Sequence, residues 1–155
     1  MNKLEKLMAQ YPNIEFIYSE AMPDYFKGLC VGDVIFINSK SNKTLAEKVV
    51  TLSEEIAHYE TGVGNIIKQE TVSDQKQEYK ARQKGNQRLL SLDDLIHCWE
   101  SGHTHPYEIA AELDVTTECI QHAVESYRYK NGLAFSYKNY HISFNNDMNI
   151  IINKI

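Results

Sequence analysis

Thr44-Leu45-Ala46-Glu47-Lys48-Val49-Val50-Thr51-Leu52-Ser53-Glu54-Glu55-Ile56-Ala57-His58-Tyr59-Glu60-Thr61 is the stretch whose reading decides the fold. Leu45, Val49, Leu52, Ile56 and Tyr59 recur at steps of four and three. At about 100° per residue they form one apolar stripe, which has to pack against a core. Glu54 and His58 are four apart and project side by side from one face of the same helix. That face lies roughly opposite the stripe, with Ala46, Val50 and Ala57 flanking it, so it is expected to floor a partly lined cleft. Ser41-Asn42-Lys43-Thr44 offers several N-cap candidates, and Gly62-Val63-Gly64-Asn65 ends the helix.

Outward from this helix, the N-terminal side reads as a short helix over residues 4–10, stopped by Tyr11-Pro12-Asn13. Ile14, Phe16 and Tyr18 alternate with polar residues, as in a half-buried strand. Gly28-Leu29-Cys30-Val31 and Val34-Ile35-Phe36-Ile37 flank Gly32-Asp33, the pattern of a β-hairpin. On the other side, residues 65–73 read as a loop. Residues 73–90 are polar and helix-friendly, with Ala81, Leu89 and Leu90 as inward candidates.

Residues 92–99 form a further helix, ended at Ser101-Gly102. Pro106 suits the first turn of the next, which runs to Leu113. Thr116 or Thr117 caps a last helix reaching about Tyr129. Ile109, Ala110, Leu113, Val115, Ile120 and Tyr127 have the apolar spacing of a helix-turn-helix. Phe135-Ser136-Tyr137 and Tyr140-His141-Ile142-Ser143-Phe144 alternate around Lys138-Asn139, a wing-like hairpin, and a short strand over 148–152 follows. The fold class is α+β. A metal-site domain is expected over residues 1–91 and a helical region with a hairpin over 92–155, packed together as one compact unit.

Composition narrows the function classes. A chain of 155 residues with a formal net charge of -5 holds enough for one well-buried core and is a poor phosphate neutraliser. The second helix of the helix-turn-helix carries Glu118 and Glu125, with basic residues only near its end at Arg128 and Lys130, so a partner-binding role is favoured over DNA recognition. No segment has the length and apolarity of a membrane span, and the N-terminus has no signal-peptide run. Cys30, Cys98 and Cys119 are odd in number and widely spaced, which fits reduced thiols in a cytoplasmic protein. Cys119 sits on an apolar helical position, as core. His103 and His105 stand in a loop where exposure is the simpler reading. His97 is expected to be packed or on the surface, and His122 and His141 have no nameable partner.

Leu52-Ser53-Glu54-Glu55-Ile56-Ala57-His58-Tyr59-Glu60-Thr61-Gly62 resembles the active-site helix of the ImmA/IrrE family of metallopeptidases, in particular its short phage and mobile-element members. Lys76-Gln77-Glu78-Tyr79-Lys80-Ala81-Arg82, followed by Leu89-Leu90, is similar to that family's second motif. The likeness extends to Leu92-Asp93-Asp94-Leu95-Ile96 and to Glu108-Ile109-Ala110-Ala111-Glu112-Leu113-Asp114-Val115, in the same order. The resemblance implies a small N-terminal sheet packed on zincin-like metal-site helices. It also implies a zinc endopeptidase that cleaves a repressor of a phage or mobile element.

Residue by residue, the resemblance makes His58 a metal ligand, Glu78 the third ligand and Glu55 the catalytic base. Glu54 stands where the His-Glu-x-x-His motif has its first histidine. A carboxylate at that helical offset can still bind zinc. Two carboxylates and one imidazole bring the loaded site near neutrality, which weakens the Lewis acid and makes Mn2+ or Fe2+ more acceptable. The same departure supports an alternative: a non-catalytic antirepressor that holds its partner on a degenerate peptidase surface. A DNA-binding regulator is the third and weakest reading. The acidic balance predicts no nanomolar, salt-sensitive, sequence-dependent mobility shift with DNA at physiological ionic strength. Such a shift would overturn that expectation.

Overall fold

The computed structural model describes residues 1–62, 72–145 and 149–155. The loop expected over 65–73 lies, up to residue 71, outside the described residues, as does Met148. Six helices and two three-stranded sheets make the described chain α+β. It divides into two compact units, Met1–Leu89 and Leu90–Ile155.

In the first unit, Asn2 caps helix α1 (Lys3–Ala9) through a reciprocal pair with Glu5, and Leu4 and Leu7 are buried. Strands β1 (Glu15–Ser19), β2 (Gly28–Val31) and β3 (Val34–Asn38) form a sheet in the order β1-β3-β2. The expected hairpin is present: Val31 pairs with Val34 across Gly32-Asp33, and Gly32 takes φ 58°. β1 runs parallel to β3, with Phe16 opposite Ile35 and Tyr18 opposite Ile37. Ile35 and Ile37 alternate into the core.

Helix α2 (Leu45–Thr61) packs on β2 and β3. Thr44 caps it by accepting a hydrogen bond from the Glu47 amide, and Gly62 ends it at φ 70°. Val49, Leu52 and Ile56 of the apolar stripe are fully buried. The loop ahead of β2 is tied down by two buried asparagines. Asn38 Nδ2 donates to the carbonyls of Pro23 (3.1 Å) and Phe26 (2.7 Å). Asn42 Nδ2 donates to those of Lys27 and Asn38, and its Oδ1 accepts from Thr51 Oγ1 at 2.6 Å.

Helix α3 (Val72–Leu89) lies along α2. It covers the face expected to floor a cleft, and Thr51, Ser53, Glu55 and His58 are buried together with the apolar stripe. At Gly85 the backbone of α2 leaves little room for a side chain on α3. A Cβ there would stand 3.1 Å from both Cα and N of Glu54, and 3.2 Å from the carbonyl carbon of Ser53. Ser53 Oγ donates to the Gly85 carbonyl at 2.8 Å. Ala81 and Leu89, two of the inward candidates, are buried.

In the second unit, α4 (Leu92–Glu100), α5 (Pro106–Leu113) and α6 (Thr117–Asn131) are followed by the antiparallel sheet β4 (Ala134–Tyr137), β5 (Tyr140–Phe144) and β6 (Ile150–Lys154). Ser91, His105 and Thr116 cap the three helices. Asp114, at φ 53°, turns the chain between α5 and α6. Leu90, Leu95, Ile109, Cys119, Ile120 and Ile142 are core residues, and the Tyr127 hydroxyl donates to the Leu90 carbonyl at 2.7 Å. Phe144 is buried against half-buried Phe135.

Gly85→Ala sets a gain in helix propensity of about 1 kcal/mol against an overpacking cost of about 1–3 kcal/mol. The neighbours are helix backbone and cannot rotate away, so the expected net effect is a loss of about 1 kcal/mol in urea denaturation. A net gain would show that the two helices can part freely.

Candidate metal centre

Helical geometry places Glu54 and His58 on one side of α2, and the close approach at Gly85 brings Glu78 of α3 to them. One ligand-type atom from each of Glu54, His58 and Glu78 lies within 4.8 Å of the others. Among the described residues this group of three is the one brought together as a potential metal cluster. His58 Nε2 lies 3.2 Å from Glu78 Oε2, in a direction that completes no hydrogen bond. Nδ1 meets no hydrogen-bond partner among the described residues.

A buried imidazole left without hydrogen bonds costs about 1–3 kcal/mol, so an imidazole in that state marks a position for a ligand. One imidazole and two carboxylates are donors that suit a divalent cation such as zinc, and the oxygen-rich set also suits Mn2+ or Fe2+. The donors therefore fit the group that the motif implies.

The electrostatics are those of three acids around one buried imidazole. Burial would lower the His58 pKa, but Glu78, Glu55 and Glu54 outweigh it and hold the imidazole above its ordinary value. Burial raises the Glu54 carboxyl, and the neighbouring Glu78 adds to this, while Arg82 pulls the other way. His58 draws the Glu78 carboxyl below the usual range. Arg82 flanks the cluster, its Nε 3.6 Å from Glu54 Oε1 and one terminal nitrogen 3.9 Å from Glu78 Oε1.

Glu55, one residue on, packs against β2, is 5% exposed, and still lies near enough to act on the His58 imidazole by its charge. Gly28 makes the room: a Cβ there would stand 2.8 Å from Glu55 Cγ and 2.9 Å from Thr51 Cγ2. Burial, then the negative charge of Glu55, pushes the Cys30 thiol up to about 11, so it is a neutral core side chain near pH 7.

The remaining histidines stay apart from the cluster. His103 Nε2 lies 3.5 Å from Glu112, His105 caps α5, and His97, His122 and His141 are exposed. The spacing argument did not reach Gly28, Gly85, Ser53 or Arg88. Arg88 donates to the Ser53 carbonyl at 3.1 Å and to the Glu60 carboxylate. Glu60 also accepts from the Tyr11 hydroxyl, at 3.2 Å. A glycine inside an otherwise helical pattern was the available signal for Gly85. Arg88 and Glu60 lie too far apart in sequence to be paired by periodicity.

A helix presenting a histidine and glutamates to a glutamate of the following helix is a donor arrangement of the metallopeptidase kind. The chain belongs to the peptidase family whose model is described as the IrrE N-terminal-like domain; that model matches residues 9–125. This supports a metallopeptidase-family role with a protein substrate. No curated protein and no solved structure matches the chain. Among the described residues no helix is long and apolar enough to cross a membrane.

Proposed function

We propose that the protein is a cytoplasmic zinc endopeptidase that cleaves a repressor of a phage or mobile element. Glu54, His58 and Glu78 hold the metal in a zincin-like arrangement and Glu55 serves as the base. The observation that supports this best is the buried His58 imidazole, set between two carboxylates without a completed hydrogen bond. A divalent cation bound there supplies the Lewis acidity that makes water nucleophilic near neutral pH.

The chain's own residues do the rest. Glu55 sits beside the donors without belonging to their cluster, held between α2 and β2. It takes a proton from the attacking water and delivers it to the departing amide nitrogen. The region 1–91 carries the chemistry. The region 92–155, with its helix-turn-helix-like pair and wing-like hairpin, serves partner binding. The repressor as substrate follows from the resemblance described above, and the reduced, buried cysteines suit the cytoplasm.

His58→Ala is expected to abolish stoichiometric metal in protein purified without added metal, with the far-UV circular dichroism unchanged. Full metal occupancy in that variant would remove His58 from the donor set. Glu55→Gln is expected to keep the metal and to cut repressor cleavage by about a hundredfold or more, because the amide keeps the size of the side chain and cannot accept the proton. Undiminished cleavage would remove Glu55 from the mechanism. Repressor binding without cleavage by the wild-type protein at any pH would favour the antirepressor reading.

A further inference from the structure

Three carboxylates, Glu54, Glu55 and Glu78, gather around His58, and two of them are donors in the candidate cluster. Carboxylates drawn partly out of water are destabilised unless a counter-charge stands beside them. A metal-free chain therefore needs a cation of its own at this place. Lys84 and Arg88 are taken up with Glu60. Among the described lysines and arginines, Arg82 is the one that pairs with both donor carboxylates, and it does so from the solvent edge, with its side chain 48% exposed. The two oxygens of Glu78 divide the work: Oε2 turns to His58 and Oε1 to Arg82. Glu54 likewise gives Oε1 to Arg82.

From this geometry we infer that Arg82 is a positioning residue, the built-in counter-cation of the cluster. It holds the outer oxygens of Glu54 and Glu78 in the metal-free chain, and it lowers the affinity for an incoming divalent ion. The inference rests on the reading that Glu54, His58 and Glu78 hold such an ion. The second effect follows from sign alone, since a guanidinium beside the donors repels any cation that comes to them. Both ion-pair distances exceed hydrogen-bond length, so charge outweighs orientation at this contact. Arg82 thus exchanges affinity in the loaded state for order in the empty one.

The test compares wild type, Arg82→Gln and Arg82→Lys, stripped of metal and then titrated with zinc alone. Without metal, Arg82→Gln should melt at a lower temperature than wild type, and Arg82→Lys should recover most of the difference. On titration, Arg82→Gln should bind zinc about tenfold more tightly, because a unit charge facing a divalent one across a solvated edge changes affinity by roughly that factor. Arg82→Lys should bind as wild type does. Unchanged or weaker zinc binding by Arg82→Gln overturns the inference, as does Arg82→Lys behaving like Arg82→Gln. If wild type takes up no zinc into the millimolar range, the donor reading fails. The metal-free melting series then upholds or overturns Arg82 as counter-cation by itself.

Discussion

The close approach of α3 to α2 at Gly85 is the constraint on which the candidate site depends. Glu54 and His58 belong to one helix and keep their spacing whatever surrounds them. Glu78 reaches them because Gly85, two turns further along α3, lets backbone meet backbone beside Glu54. The contact is fixed by hydrogen bonds as well as by shape. Ser53 Oγ donates to the Gly85 carbonyl, and Arg88 binds the Ser53 carbonyl while pairing with Glu60. Glu60 in turn accepts from Tyr11, so the chain segment after α1 is tied to the same contact. Tyr11, Glu60, Arg88, Ser53 and Gly85 are thus joined in one run of polar contacts along this seam.

A second glycine performs the matching task on the sheet side. Gly28 opens β2, and the space its missing side chain leaves is filled by Glu55 and Thr51. Thr51 is held by Asn42, and Asn42 and Asn38 anchor the chain leading into β2. Glu55 is therefore fixed from two directions, by its own helix and by the strand laid against it. The two glycines separate the acids of α2. Glu54 is turned to α3 and to Arg82, and Glu55 to the sheet, although they are neighbours in sequence.

What could be read from the sequence follows the range of the interactions. The stripe Val49–Leu52–Ile56, the Thr44 cap and the Gly32 hairpin are local, and the structure has them. The Glu54–His58 pairing follows from helical pitch alone. Glu78 came from a family likeness, because nothing periodic links residues on two helices joined through a loop. The parallel pairing of β1 with β3 was not legible for the same reason: partners in a parallel ladder are set by the rest of the fold. That α3 lies along this face of α2 was not legible, because a helical wheel shows which residues share a side. It does not show whether a second helix will lie on that side. α3 is polar along most of its length and advertises its contact through Ala81, Leu89 and the unexpected glycine.

Glu54 shows why position outranks residue type here. At that offset a histidine would add a neutral side chain, whereas an ionised glutamate adds a negative charge that a neighbouring cation balances. The structure answers with a cation on the facing helix, one turn after Glu78, so that one arginine reaches both carboxylates. The exposure of Arg82 matters as much as its charge. A buried arginine would cost desolvation of its own. At the solvent edge it keeps its hydration and still lowers the energy of the two carboxylates. On the donor reading proposed above, the acid-rich cluster is thus compatible with folding before an ion binds.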